Sequence, residues 1–173
     1  DFAKKATIAV EDKHFYEHNG VRVISIIRAG FNNIIGRRSG SGGASTLTQQ
    51  LIKNTIIGDE HSLFRKLKEA ILALRLEKKY TKDQILKLYL NEIPYGSTNY
   101  GIEAASQAYF KKSAAELTLA EAATLAAIPK APSKYLKDLG ALRDRRDLVL
   151  ALMYDQGYIT EEQKKEAQGV ALR

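Results

Sequence analysis

Four times along the chain a threonine is followed three residues later by Gln or Glu, just ahead of an apolar-periodic run: Thr46 with Gln49, Thr81 with Gln84, Thr118 with Glu121, and Thr160 with Gln163. This spacing is a capping box. The threonine hydroxyl accepts from the third backbone N–H while the Gln or Glu side chain reaches back to the threonine's own N–H, so two orphan donors of a helix start are satisfied together. At Thr81 the device is strengthened by Tyr80 and Ile85, placed as a hydrophobic staple. Pro129, Gly157 and Gly169 fall where the apolar period ends and act as stops. Alternating patterns are hard to find, and GRRSGSGGAST, residues 36–46, reads as a loop. The expectation is a mainly α fold with no internal repeat.

The bulk numbers fit one domain. A chain of 173 residues with 45% hydrophobic content can bury a single core. Its 27 Lys and Arg against 20 Asp and Glu leave a formal charge of +7, which favours an anionic partner: nucleic acid, phosphoryl groups or a membrane surface. The absence of cysteine removes disulfide frameworks and thiolate metal sites. No apolar run approaches the roughly 18 residues of a membrane span. The start at Asp1 carries no signal-peptide pattern, so this piece is expected neither to cross a bilayer nor to carry its own export address.

EDKHFYEHNG, residues 11–20, is dense in chemistry. Within it His14, Glu17 and His18 match H-x-x-E-H, in which two histidines one helical turn apart grip zinc while the glutamate activates water. That grip needs an unbroken helix, and Asn19-Gly20 is a typical helix stop. No third ligand stands out. The plainer reading is two histidines on a solvated helix end, where the dipole favours cations.

GGASTLTQQLIKN, residues 42–54, runs a glycine-serine loop into a helix capped by Thr46, whose first N–H groups can receive an anion. Thr46, Gln50 and Lys53 share one stripe, with Leu47 and Leu51 on an adjacent one that can pack inward. No Lys-Ser or Lys-Thr pair follows the glycines, so this is not a nucleotide P-loop, and an ordinary capped amphipathic helix explains the pattern equally well. Farther on, the expected core stripe runs Leu63, Leu67, Ala70, Ile71, Leu74. Arg65 and Glu69 lie on another stripe continuing through Leu72 and Leu76, which would leave Glu69 partly desolvated; the alternative is a surface pair four residues apart. Residues 21–35, VRVISIIRAGFNNII, are apolar around much of a helix but studded with Arg, suiting either a lipid interface or a core helix.

Taken in order, EDKHFYEHNG, GGASTLTQQLIKN, RKLKEAILALRLE, KDQILKLYLNEIPYGSTNYGIEAASQAYF and LTLAEAATLAAIPKAPSKY resemble the five motifs of the family 51 peptidoglycan glycosyltransferases, the modules found in class A penicillin-binding proteins and monofunctional transglycosylases. The resemblance implies a lysozyme-like helical fold with a larger head lobe and a smaller, membrane-apposed jaw lobe. It makes residues 1–173 one glycosyltransferase domain with the jaw at about 21–60 inserted in the head. The implied activity is polymerisation of lipid II, with inverting transfer from a polyprenyl-pyrophosphate-linked donor to the 4-hydroxyl of the acceptor.

By similarity Glu11 is the general base, and Asp12, Phe15 and His18 shape its surroundings, with His14 and Glu17 as bystanders. Glu69 is the second important acid. Lys53 and Arg65 are cations near the donor pyrophosphate, and Ser45, Thr46, Gln50 and Asn54 line the same cleft. No cofactor is required, although a divalent cation near the pyrophosphate is compatible with the pattern. The implied partners are lipid II, the growing lipid-linked glycan, the membrane surface and moenomycin-type phosphoglycolipid inhibitors, with no nucleic acid. The implied location is the outer face of the cytoplasmic membrane, through an anchor expected outside this chain. Two departures stand out: Leu136-Lys137-Asp138-Leu139-Gly140 replaces the family's Asn-Pro-containing loop, and Ala44 stands where Gly is frequent. The rivals in other classes are a lytic hydrolase and a noncatalytic lipid- or glycan-binding module.

Overall fold

All four threonine caps form as reciprocal pairs. Thr46, Thr81, Thr118 and Thr160 each accept from the third backbone N–H at 3.1–3.2 Å and receive the Gln or Glu side chain on their own N–H at 2.8–3.0 Å. The computed structural model describes residues 2–18, 20, 46–54, 63–96 and 99–172, the side chains of 63–65 excepted. The described helices are α1 (Phe2–Glu11), α2 (Leu47–Ile52), α3 (Leu63–Lys79), α4 (Lys82–Glu92), α5 (Ile102–Phe110), α6 (Leu119–Ala127), α7 (Pro132–Lys137), α8 (Leu139–Asp155) and α9 (Glu161–Gln168), with a 3-10 turn at Ala114–Glu116. Among the described residues there is no strand, only an isolated antiparallel bridge between Pro94 and Tyr100. The mainly α expectation holds.

The chain divides into two compact units. One comprises Asp1–Lys13 and Leu90–Arg173, the other His14–Tyr89, so in chain order the second is inserted in the first. The first unit is built on α1, α6 and α8, each packed against the other two. Their contact faces are rich in small side chains: Ala3, Ala6 and Ala9 of α1 and Ala122, Ala123, Ala126 and Ala127 of α6 are buried, with Val149, Leu150 and Met153 of α8. Alanine on facing helices lets the backbones approach closely without cavities. Two buried threonines in this layer return their hydroxyls to the carbonyl one turn back, Thr7 to Ala3 at 2.9 Å and Thr124 to Ala120 at 2.7 Å, so neither hydroxyl is stranded.

In the second unit α2 packs against α3. Leu47, Leu51 and Ile52 of α2 are buried, as the inward stripe predicts. The stripe expected for α3 is wrong. Leu67, Ile71 and Leu74 are exposed and Ala70 is half-buried, the Leu63 side chain lies outside the described residues, and the buried positions among those described are Glu69 and Ala73. The reason lies in how closely the backbone approaches: a Cβ on Gly20 would sit 2.7 Å from the Ala73 carbonyl oxygen. Only glycine fits at position 20 against that stretch of α3, so the chain lies directly on the side that carries Ala73 and Glu77, and Leu67, Ile71 and Leu74 are left outward. Gly20 is fixed twice over, since its φ of +104° is also a conformation L side chains rarely adopt.

Candidate functional site

α1 ends at Glu11 and the backbone N–H of Asp12 bonds back to Ile8 at 3.0 Å. Residues 14–18 form a turn closed by Glu17 and His18 onto the His14 carbonyl, so His14 and His18 do not stand on one helix. Their ring nitrogens have other partners. His14 pairs with Glu17 at 2.6 Å, while Nδ1 of His18 accepts from the Gly20 N–H at 2.9 Å and lies 3.1 Å from the Lys82 ammonium. That contact assigns the proton of the neutral His18 ring to Nε2. His18 is not the solvated histidine of the plainer reading, its side chain being only 6% exposed.

The Glu11 carboxylate belongs to the first unit. It is 11% exposed and stands 3.6 Å from Arg145 Nη2 of α8, itself 12% exposed. The neighbouring guanidinium favours the charged carboxylate, against the negative end of the α1 dipole. Tyr95 is completely buried in the same unit, and burial first, then the negative charge of Glu11, pushes its hydroxyl well above the usual phenol range. It stays protonated at any physiological pH. Neither the Tyr95 hydroxyl nor Arg145 Nε has a hydrogen-bond partner among the described residues, although both are buried. Two donors with unused capacity therefore belong to the surroundings of a carboxylate. Asp12, next in the chain, is also buried.

The remaining candidates belong to the second unit. Phe15 is fully enclosed, its ring edge-on to Tyr16 and His18 and 4.7 Å from the Lys82 ammonium. The Thr46 hydroxyl is occupied, accepting from the Gln49 N–H and donating to the Gly20 carbonyl. Gln50 accepts from the Tyr89 hydroxyl at 3.2 Å through its side chain, and from Asn54 at 2.8 Å through its carbonyl. Lys53 is half-buried at the C-cap of α2, and Asn54 is exposed. Glu69 is 1% exposed and receives the Lys66 ammonium at 3.0 Å. Ser45 and the Arg65 side chain lie outside the described residues, as do segment 21–35 and Ala44. Among the described residues no group of three or more His, Cys, Asp or Glu is placed to hold a metal ion.

A cluster with no motif behind it organises this unit. Glu77 Oε2 accepts from Lys82 at 2.7 Å and from the Thr48 hydroxyl at 2.8 Å, with His18 Nδ1 at 3.7 Å. One carboxylate thus joins α2, α3, α4 and the turn after Glu11. The only sequence signal was charge on both sides of the Tyr80-Thr81 break. Arg145 and Arg146 adjoin in sequence but differ in use: Arg146 is fully buried and holds the chain's end, donating to the Val170 and Gln168 carbonyls at 2.6 and 3.0 Å.

Comparison with known proteins gives concordant findings. A family model described as Transglycosylase matches residues 1–154. The chain is 49% identical over 164 residues to penicillin-binding protein 1A of Rickettsia felis (92% of this chain, 21% of that one), and 47% identical over 171 residues to penicillin-binding protein 1F of Bacillus subtilis (98% and 24%). Among solved structures it resembles penicillin-binding protein 1A from Haemophilus influenzae, with a TM-score of 0.52 and 34% identity over 73% of this chain and 16% of that one. The chain thus spans less than a quarter of the length of these relatives.

Proposed function

Since the chain belongs to the transglycosylase family, we propose that it is a peptidoglycan glycosyltransferase that polymerises lipid II, with Glu11 as general base. In this reading the acceptor's 4-hydroxyl attacks the anomeric carbon of the lipid-linked donor. Its proton passes to Glu11, the bond to the pyrophosphate oxygen breaks, and the sugar carbon inverts. The pyrophosphate departs as an anion and needs no acid. This separates the reaction from lysozyme-type hydrolysis, in which a neutral carboxylic acid must protonate the leaving oxygen.

The observation that carries the reading is the surroundings of Glu11. A base must be ionised before the reaction, and Arg145 at 3.6 Å favours that state in a site only about a tenth exposed. The unpartnered donors of Tyr95 and Arg145 suit a ligand rich in hydroxyl and carbonyl oxygens, because buried donors without partners are costly unless something fills them. On the donor side, Lys53 and Arg65 are assigned to the pyrophosphate, where fixed cations lower the barrier as leaving-group charge grows. Ser45, Gln50 and Asn54 are assigned to the same cleft, and Glu69 to orienting donor groups. Thr46 and His18 act indirectly, by holding the backbone at Gly20 and the start of α2, and Phe15 by packing against the His18 ring.

Incubation with labelled lipid II tests the proposal. The expected product is polymer that forms only with the lipid-linked substrate and that muramidase digests. Binding without polymer, or release of sugar from finished glycan, would overturn it.

A further inference from the structure

α1 does not satisfy its own end. The Asp12 N–H takes the Ile8 carbonyl at 3.0 Å, but among the described residues no backbone N–H beyond the helix takes the next one, that of Ala9. A carbonyl at a helix C-terminus then needs a donor from elsewhere. Gln156 supplies it from 147 residues away, its side-chain Nε2 donating to the Ala9 carbonyl at 3.0 Å.

The end of α8 aims this amide. Gly157 stands at φ +82°, its N–H bonds to the Tyr154 carbonyl at 3.0 Å and that of Tyr158 to the Met153 carbonyl at 2.9 Å, the paired bonds of a Schellman motif with Gln156 at the C-cap. Gln156 Oε1 is buried and has no hydrogen-bond partner among the described residues. A buried amide with an unmatched oxygen is costly, and a flipped amide would set that oxygen against the Ala9 carbonyl, so what this side chain contributes is one donated bond. α8 therefore meets α1 twice. Gln156 holds the backbone at Ala9, and Arg145 faces the Glu11 carboxylate at 3.6 Å.

We infer that Gln156 is a positioning residue for Glu11, an inference that rests on Glu11 as the base. By taking the Ala9 carbonyl it fixes where α1 ends, and so ties the direction of the base to the same helix that carries its cation. The tie matters because a displacement of about 1 Å at a reacting group can cost about 10²-fold in rate. Its action passes through the α1 backbone, so it should affect turnover and not substrate affinity.

Three variants test this. Gln156→Met keeps the length and drops the donor, Gln156→Lys keeps a donor suited to a helix C-terminus, and Thr124→Val removes a buried hydrogen bond of α6 in the same layer as a control. In lipid II polymerisation Gln156→Met should lower kcat about tenfold at an unchanged KM, Gln156→Lys should recover most of the loss, and Thr124→Val should keep kcat. Amide hydrogen exchange needs no lipid II. The Asp12 N–H should exchange about tenfold faster in Gln156→Met and at the unaltered rate in the other two. Unaltered Asp12 exchange in Gln156→Met, a raised KM with kcat intact, a lysine variant no better than the methionine one, or a kcat loss shared by Thr124→Val would overturn the inference. An unaltered chain that forms no polymer, with these exchange rates intact, would count against the proposed activity and leave the hold on α1 standing.

Discussion

Replacing Glu77 by Gln keeps the shape of the hub and removes its charge. Glu77 Oε2 accepts from Lys82 at 2.7 Å and from Thr48 at 2.8 Å, with the Glu77 and Lys82 side chains 8% and 18% exposed. An amide oxygen can still accept from Thr48, so the loss is concentrated in the charge-assisted bond and in the ammonium left without its counter-charge. Hydrogen bonds to charged groups contribute about 1.5–3 kcal/mol, and a largely desolvated ammonium without its partner adds to that, so a loss of about 2–4 kcal/mol is expected. The chain supplies its own control. Glu161 and Lys165 pair at 3.3 Å on the surface of α9, 57% and 70% exposed, where about 0.3–0.5 kcal/mol is usual. Urea unfolding of double-mutant cycles, Glu77→Gln with Lys82→Met and Glu161→Gln with Lys165→Met, measures both couplings. If the two agree within about 0.5 kcal/mol, the hub is no more than an ordinary ion pair and the reasoning is refuted.

Glu11→Gln should lower polymerisation by ~10²–10⁴ while the chain still folds, since the amide keeps the shape but neither accepts the proton nor faces Arg145 with a charge; near-normal turnover would end its assignment as base. Gly20→Ala should cost about 2–4 kcal/mol in urea unfolding, combining positive-φ strain with a clash against the Ala73 backbone that cannot move aside. Burial works against a charged Glu121, but bonds from the Thr118 N–H and Lys112 outweigh it and hold the carboxyl below its usual range. With the folded pKa depressed, its stabilisation is present above the unfolded pKa and lost as pH falls through the folded one. Glu121→Gln should therefore be less stable than the unaltered chain near neutrality and equal to it in acid, as pH-dependent urea midpoints would show. Lys53→Ala should weaken binding of a donor-mimicking phosphoglycolipid, with a loss that shrinks as salt rises; unchanged titrations at low salt would return Lys53 to a solvated helix face.

Local grammar was legible in the sequence, and contact geometry was not. Every capping box formed because its hydrogen bonds lie within four residues and need no tertiary context. The inward stripe of α2 was equally readable, since Leu47 and Leu51 have no competing apolar face. On α3 two stripes competed, and hydrophobicity chose the wrong one. The deciding quantity was the distance between the Gly20 and Ala73 backbones, which joins residues far apart in the chain. Glu11 could be named from the family motif, but its cation could not: Arg145 lies on α8, and nothing in the pair Arg145-Arg146 says which arginine meets Glu11 and which pins the chain's end.

The inversion of α3 links fold to chemistry. A helix that packed through Leu67, Ile71 and Leu74 would place Glu69 and Glu77 toward water, where a carboxylate neither organises its neighbours nor loses its hydration. Packing through Ala73 instead draws both acids inside, where Lys66 and Lys82 accompany them at 3.0 and 2.7 Å. The same small contact admits Gly20 against α3 and lets Thr46, the cap of α2, hold the Gly20 carbonyl. Displaced aliphatic side chains must then face outward, beside cations whose acidic neighbours have been withdrawn. The close approach of Gly20 to the Ala73 backbone thus links the buried acids, the anchored start of α2 and the apolar, basic outer face, and Gly20→Ala should disturb all three at once.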